Sequence, residues 1–335
     1  VWHFQMVHHD LWEYDNMGPP ILGDITVDGR RIKAVMQVNK TAFLYTFNRE
    51  TGEPVWPIEE RPVPQSTVPG EYTSPTQPFP TKPPPFDRQG VTQEDLIDFT
   101  PELRAQALAL ADSLILAPLF TPAVLLSEAP EGKLGVYTIP GGWGAGNWNT
   151  GAFDPETGVY YAVSHTLPGL GRLAKLTDPD ATLDYGFPER VRRARTDIEG
   201  LPLVKPPYGR ITAIDMNRGE HLWMIANGDG PRDHPLLADL DLPPLGNANR
   251  PTPLVTKTLL FVGEGSDAII GTPEGMWGTK FRALDKATGE RIWEVDLDAG
   301  TTGGPMTYLH NGKQYIVVAI GGNDHNPEFV ALGLP

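Results

Sequence analysis

The stretch VHHDLWEYDNMG, Val7 to Gly18, gathers His8 and His9, the carboxylates Asp10, Glu13 and Asp15, and the rings of Trp12 and Tyr14. A carboxylate in such a cluster can act as a general base toward a hydroxyl group, and a histidine can carry a proton or bind a metal. A polar turn would show the same residue types, with an acid such as Asp10 capping backbone N–H groups or orienting His9. Adjacent histidines on an extended chain point to opposite faces, so His8 and His9 do not readily share one metal and are read as hydrogen-bonded structural groups.

The whole chain sets limits on this chemistry. Its 335 residues, 40% of them hydrophobic, suffice for a large core. A net charge of −15, with only 27 scattered Lys and Arg, argues against nucleic acid as a partner. Without cysteine there is no disulfide, zinc-thiolate site or thiol nucleophile, and the compartment is left open. No run of apolar residues is long enough to span a bilayer. The opening VWHFQMVHHD reads as a strand already under way, without an initiator Met or a signal-like segment, so the expectation is a piece of a longer protein.

The elements that must position the cluster are mostly strands, because 36 Gly and 35 Pro favour turns over long helices. The exception lies in an expected insertion, residues 57–130. Its first part belongs to the proline-dense stretch Glu53 to Phe86, which forbids a central strand and favours extended, polyproline-like chain. Thr92 to Leu114 follows with apolar residues at helical spacing, Thr100 as N-cap, Pro101 at the first helical position and Glu102 in the first turn. One or two short helices are expected there.

A repeat decides the architecture. ALDKATGERIW (Ala283 to Trp293) and AIDMNRGEHLW (Ala213 to Trp223) share the pattern A-x-D-x-x-x-G-x-x-x-W. TFNRETGEPVW (Thr46 to Trp56) matches with Thr and Asn for Ala and Asp, and AFDPETGVYYA (Ala152 to Ala162) keeps only the first half. Each copy reads as a strand ending at Asp, a tight turn with Gly at positive φ, and a second strand carrying Trp. Hairpins whose Trp residues pack on the neighbouring unit interlock side by side, as the blades of an all-β propeller do.

The repeat resembles the tryptophan-docking motif of the pyrroloquinoline quinone (PQQ) dependent dehydrogenases, which are eight-bladed quinoprotein propellers. WHFQMVHHDLWEYD, VNKTAFLYTFNRETGEPVWPIEERPVPQS, PTQPFPTKPPPF and GGPMTYLHNGKQYIVVAIGG are similar to the C-terminal half of the branch that includes membrane-bound glucose dehydrogenase. The resemblance runs along the whole chain and implies one partial propeller domain, residues 1–335, lacking the N-terminal half.

The same resemblance assigns roles residue by residue. Aligning on His9, Asp10 and Trp12 puts the catalytic base on Glu13, where the family has Asp, and leaves Asp10 as the alternative base. One extra methylene moves the carboxylate by about 1.5 Å, and misplacement of that order costs on the order of a hundredfold in rate. Lys40 falls at the family's spacing for a cation bonded to the quinone oxygens, although taken alone it reads as a solvated strand-end lysine. Asp15 is offset as a metal-approaching carboxylate is in the lanthanide-using branch. Ser164, Asn247 and Asn323 fall where relatives place cofactor contacts, and each also reads as an ordinary turn residue.

The implied activity is oxidation of an alcohol or sugar hydroxyl, with PQQ and a divalent cation, Ca²⁺ or alternatively Mg²⁺ or a lanthanide, as cofactors. Ubiquinone or a cytochrome c would receive the electrons in the periplasm or at its membrane face. The family's other metal ligands and quinone contacts belong to earlier blades. The alternative is a non-catalytic propeller of the outer-membrane assembly-scaffold type, which has the repeat but no need for Glu13 and Lys40.

Overall fold

The structure, a computed structural model, describes residues 1–126, 132–149, 151–187 and 196–334. Among these, four antiparallel sheets follow one another as meanders. The first is Ile21–Val27, Arg30–Val38 and Leu44–Asn48. The second joins Gly151–Asp154, Val159–His165, Gly209–Asp215 and Glu220–Ala226. The third contains Leu254–Val255, Leu259–Gly263, Lys280–Asp285 and Arg291–Asp296, and the fourth Met306–His310, Lys313–Ile320 and Glu328–Gly333.

The repeat is a device for closing turns. Asn48, Asp154, Asp215 and Asp285 each accept, through side-chain Oδ1, the N–H of the residue two further on. The glycine four positions on then donates its N–H to the carbonyl of that Asn or Asp, at 2.7–2.8 Å in all four copies. Gly52, Gly158, Gly219 and Gly289 sit at φ +68 to +82°, where a side chain would be strained.

The tryptophans pack across these turns as expected, with one addition. A Cβ at Gly219 would lie 3.1 Å from the Trp56 ring, and one at Gly289 would lie 3.0 Å from Trp223. Trp2 packs in the same way on Gly52, where a Cβ would come within 2.5 Å. Trp293 packs on no turn glycine among the described residues and is 42% exposed. Two copies depart from the full pattern, one in its pairing and one in lacking the Trp. After Asn48 only the bridge Phe47–Pro54 forms, flanked by the bonds from Asn48 N–H to the Glu53 carbonyl and from Val55 N–H to that of Thr46. The copy at Gly158 joins the two strands at the opposite end of its sheet from Trp223, and its glycine lies against Asn217.

Within the expected insertion, the proline-rich stretch contributes an antiparallel pair, Ile58–Pro62 with Thr76–Pro80, apart from the four meanders. A 3₁₀ turn, Gln93–Asp95, precedes the helix Pro101–Ala111. Thr100 accepts the N–H of Leu103 at 3.2 Å, as an N-cap does. Leu103, Ala107 and Ala111, spaced by four, face a core with Leu96, Ile97, Tyr137 and Val204. The expected end of the insertion, residues 127–130, lies outside the described residues.

Gly289→Ala is expected to lower unfolding free energy by about 1 kcal/mol for the left-handed backbone and by a further 1–3 kcal/mol, roughly, for displacing Trp223. Gly275→Ala, at φ +72° with nothing near its would-be Cβ, is expected to cost only the backbone part. Urea midpoints of the two variants separate docking from strain.

Candidate active site

Glu13 is held in a sparsely populated backbone conformation, φ +64°. The residues on either side are pinned. Asp10 accepts the N–H of Trp12 at 2.9 Å through Oδ1 and that of Tyr14 at 2.7 Å through Oδ2. The Trp12 indole donates to the carbonyl of Thr121 at 3.0 Å, and the buried Tyr14 hydroxyl donates to that of Pro140 at 2.6 Å. Asn39 donates to the carbonyl of Tyr14, and Lys40 Nζ to that of Glu13 at 2.8 Å. Phe120 takes part, meeting the rings of both Trp12 and Tyr14 edge-on.

Lys40 follows the strand Arg30–Val38 and is 4% exposed. Its ammonium also pairs with Asp15 Oδ2 at 2.9 Å. The loop 141–149 closes over its stem: Ala145 donates to the Lys40 carbonyl at 2.8 Å, and any Cβ on Gly144 would strike the lysine side chain. Glu13, Asp15 and Lys40 thereby line one cavity of about 900 Å³. Trp143, Asn147, Trp148, Arg172 and Arg250 share its wall. Asn147 holds the loop's shape, donating to the Trp143 carbonyl and accepting from Trp148 N–H, both at 2.8 Å.

Three of the residues singled out in the sequence are therefore together, and the others are not. Asp10 is absent from the cavity wall, and both its oxygens are committed to the turn, the capping role its residue type allows. Ser164 is buried in the strand Val159–His165, its hydroxyl without a partner. Asn247 is buried where its Oδ1 accepts from Gly230, and Asn323 is exposed with its N–H toward Asp267. None of these three lines the cavity. His8 donates its backbone N–H to Gln77 and pairs its ring with Glu60, while His9 stacks on Tyr72. Among the described residues no three His, Asp or Glu side chains converge as a metal site. Sequence reasoning passed over Trp143, Asn147, Trp148, Arg172 and Arg250. The two tryptophans in the glycine-rich PGGWGAGNWN, an unusual place for such costly side chains, were the available signal.

Fold and cavity together define a propeller of the quinoprotein class. The chain belongs to the family described as PQQ glucose/ethanol/alcohol dehydrogenase, beta-propeller domain, whose family model matches residues 1–316. It is 30% identical to the quinoprotein glucose dehydrogenase of Escherichia coli (strain K12), covering 96% of this chain and 40% of that protein. It is 28% identical to the glycerol dehydrogenase large subunit of Gluconobacter thailandicus, covering 96% of this chain and 45% of that protein. The chain thus spans less than half the length of these relatives. The solved quinohemoprotein alcohol dehydrogenase of Comamonas testosteroni superposes with a TM-score of 0.55 at 19% identity, over 99% of this chain and 40% of that one, which shows the shared fold.

Two outcomes follow from this geometry. Asp10→Ala removes both caps beside the strained residue and is expected to cost about 1–2 kcal/mol of stability in urea unfolding. His165, wholly buried behind the cavity, is held at a pKa of about 3 by burial, with the Arg250 charge adding to it. Below pH 6.5 the unfolded chain takes up that proton and the folded one does not until about pH 3, so stability falls as pH drops through this window. The loss approaches about 1.4 kcal/mol per pH unit. Comparing His165→Gln with the parent protein between pH 7 and 4 is expected to show that slope missing from the variant.

Proposed function

We propose that this chain carries the proton-accepting and quinone-polarising side of a PQQ-dependent dehydrogenase that oxidises an alcohol or sugar hydroxyl. The observation that supports it most is the pinned, strained Glu13 sharing one cavity with a buried lysine bonded to its own carbonyl. Family relatives named for glucose and for glycerol support a sugar or polyol substrate. We further propose one partial propeller domain over residues 1–335 with an insertion at 57–130, a periplasmic location, and ubiquinone or a cytochrome c as electron acceptor. No described helix is long and apolar enough to cross a membrane.

The residues present suit the quinone. The cavity is large enough for a fused-ring ligand, two indoles border it, and Lys40 and Arg250 supply cationic donors for an electron-rich, carboxylated molecule. When bound, PQQ supplies the hydride acceptor. Glu13 takes the proton of the substrate hydroxyl, so that the hydride can depart from the carbon. Lys40 spends two of its three N–H donors on Glu13 and Asp15 and keeps one for a quinone oxygen that gains negative charge. Asp15, paired with Lys40, fixes the direction of that ammonium. The described residues do not by themselves form a cation site, with Asp15 the one carboxylate proposed toward it, and no step is assigned to a cation.

The test uses the protein expressed with every residue its gene encodes, reconstituted with PQQ and Ca²⁺ and assayed by dye-linked oxidation of alcohols and sugars. Glu13→Gln is expected to lose on the order of 10²–10⁴ in turnover, Lys40→Ala to lose activity, and Glu13→Asp to keep or raise it. Full activity in Glu13→Gln would remove Glu13 from the role of base. Absence of turnover in every version would favour the non-catalytic scaffold.

A further inference from the structure

We infer that Arg250 is the carboxylate-recognising group of this cavity, a guanidinium set aside for an anion that the chain itself does not supply. Arg250 lines the cavity wall, yet is only 7% exposed. Its side chain forms no hydrogen bond or ion pair with the described residues, and its Nη1 is buried without a partner. Glu13 and Asp15 line the same cavity, but neither pairs with it. Burying a cation unpaired costs several kcal/mol, to order of magnitude, so a fold tolerates it where something else repays the cost.

Other buried arginines in this chain are supplied with partners. Arg210 reaches Asp87 at 3.3 Å, Arg282 is bonded to both Glu264 and Glu294, and Arg172 donates to the carbonyl of Leu134 at 3.2 Å. What Arg250 has instead is aromatic surface. Its Cζ lies over the rings of both Trp143 and Trp148, 5.2 Å from each centroid. Indole faces attract the cation and hold its orientation, but offer no lone pair to its N–H groups. Trp143 is itself fixed against Gly271, where a Cβ would come within 2.7 Å. The result is a planar fork of donors, oriented by π contacts and lacking an acceptor, which matches the two oxygens of a carboxylate.

That carboxylate has two possible sources. One is the cofactor proposed for this cavity, since PQQ is a tricarboxylate; this source rests on the function proposed above. The other is the acid group of a hydroxy-acid substrate. Both are tested on the full-length protein, comparing the parent with Arg250→Met, which keeps the apolar contact, and Arg250→Lys, which keeps the charge but not the fork. PQQ affinity is read from quenching of tryptophan fluorescence. Gluconate, with sorbitol as its neutral counterpart, is titrated on the cofactor-free and the PQQ-loaded protein.

A tenfold or greater loss of PQQ affinity in Arg250→Met assigns the carboxylate to the cofactor. Unchanged PQQ affinity with a tenfold loss for gluconate, and none for sorbitol, assigns it to the substrate. A folded Arg250→Met that binds both anions like the parent overturns the inference. Should Arg250→Met fail to fold, Arg250→Lys decides: weakened anion binding with an intact near-ultraviolet circular dichroism spectrum supports the fork, and parental affinity overturns it. If the parent takes up no PQQ, the dehydrogenase proposal fails, and gluconate binding alone decides the inference. Arg250-dependent binding then supports it, and no binding overturns it.

Discussion

Three turns of the repeat are packed by an indole that can approach only because the residue beneath it is glycine. Trp2 on Gly52, Trp56 on Gly219 and Trp223 on Gly289 repeat one contact, and in each the glycine also supplies the positive φ that closes its turn. One residue type thus meets two demands, conformational freedom and absence of a Cβ, and a substitution fails both at once. With these turns packed this way, the loops at the sheet ends come together reproducibly. Residues 13, 40, 143 and 250, far apart in the chain, can then share one cavity wall.

The site adds tension to that frame. Glu13 is held left-handed while the residues on both sides are bonded to the carbonyls of Thr121 and Pro140 and packed on Phe120, and Lys40 bonds the carbonyl of Glu13 itself. An isolated turn would relax to a commoner conformation. Here the surrounding bonds over-determine it, the condition under which a strained residue persists. Residues 120 and 121 thereby buttress the backbone that presents the proposed base. The helix Pro101–Ala111 packs into a core that also includes Tyr137 and Ile139, the latter preceding Pro140, whose carbonyl accepts from the Tyr14 hydroxyl.

Much of this was legible in the sequence because local chemistry announced it. The Asp-to-Gly spacing of the repeat named the turn, Thr100 with Pro101 marked the helix start, and the Glu13–Lys40 pairing came with the family resemblance. Trp2 escaped notice because a docking tryptophan is recognised by the turn preceding it, and no such turn precedes residue 2 in this chain. Ser164 and Asn247 were placed near the cavity by analogy. Both are buried and neither lines its wall: Ser164 lies in a strand, whose position fixes the face its side chain takes, and Asn247 in a loop, where its Oδ1 accepts from Gly230. Arg250 was invisible for a different reason: its meaning lies in the partner it lacks, and only three dimensions show that absence.

The resemblance puts Glu13 where the family carries Asp, and the opposite wall leaves room for the longer side chain. A Glu side chain brings its oxygens further forward than Asp by about one C–C bond, roughly 1.5 Å, and a residue larger than glycine facing it would crowd them. The facing residue is Gly142, where a Cβ would come within 3.3 Å of Glu13 Oε2, tighter than ordinary packing. The missing side chain is the space into which the longer carboxylate fits. Gly144, two positions on, gives the same relief to the stem of Lys40. A glycine-rich loop with bulky tryptophans at 143 and 148 thus does two opposed things: it retreats where the acid and the lysine need room, and it fills the wall where Arg250 needs a surface. The side chain of Glu13 and the glycine-rich loop opposite it are thus fitted to one another.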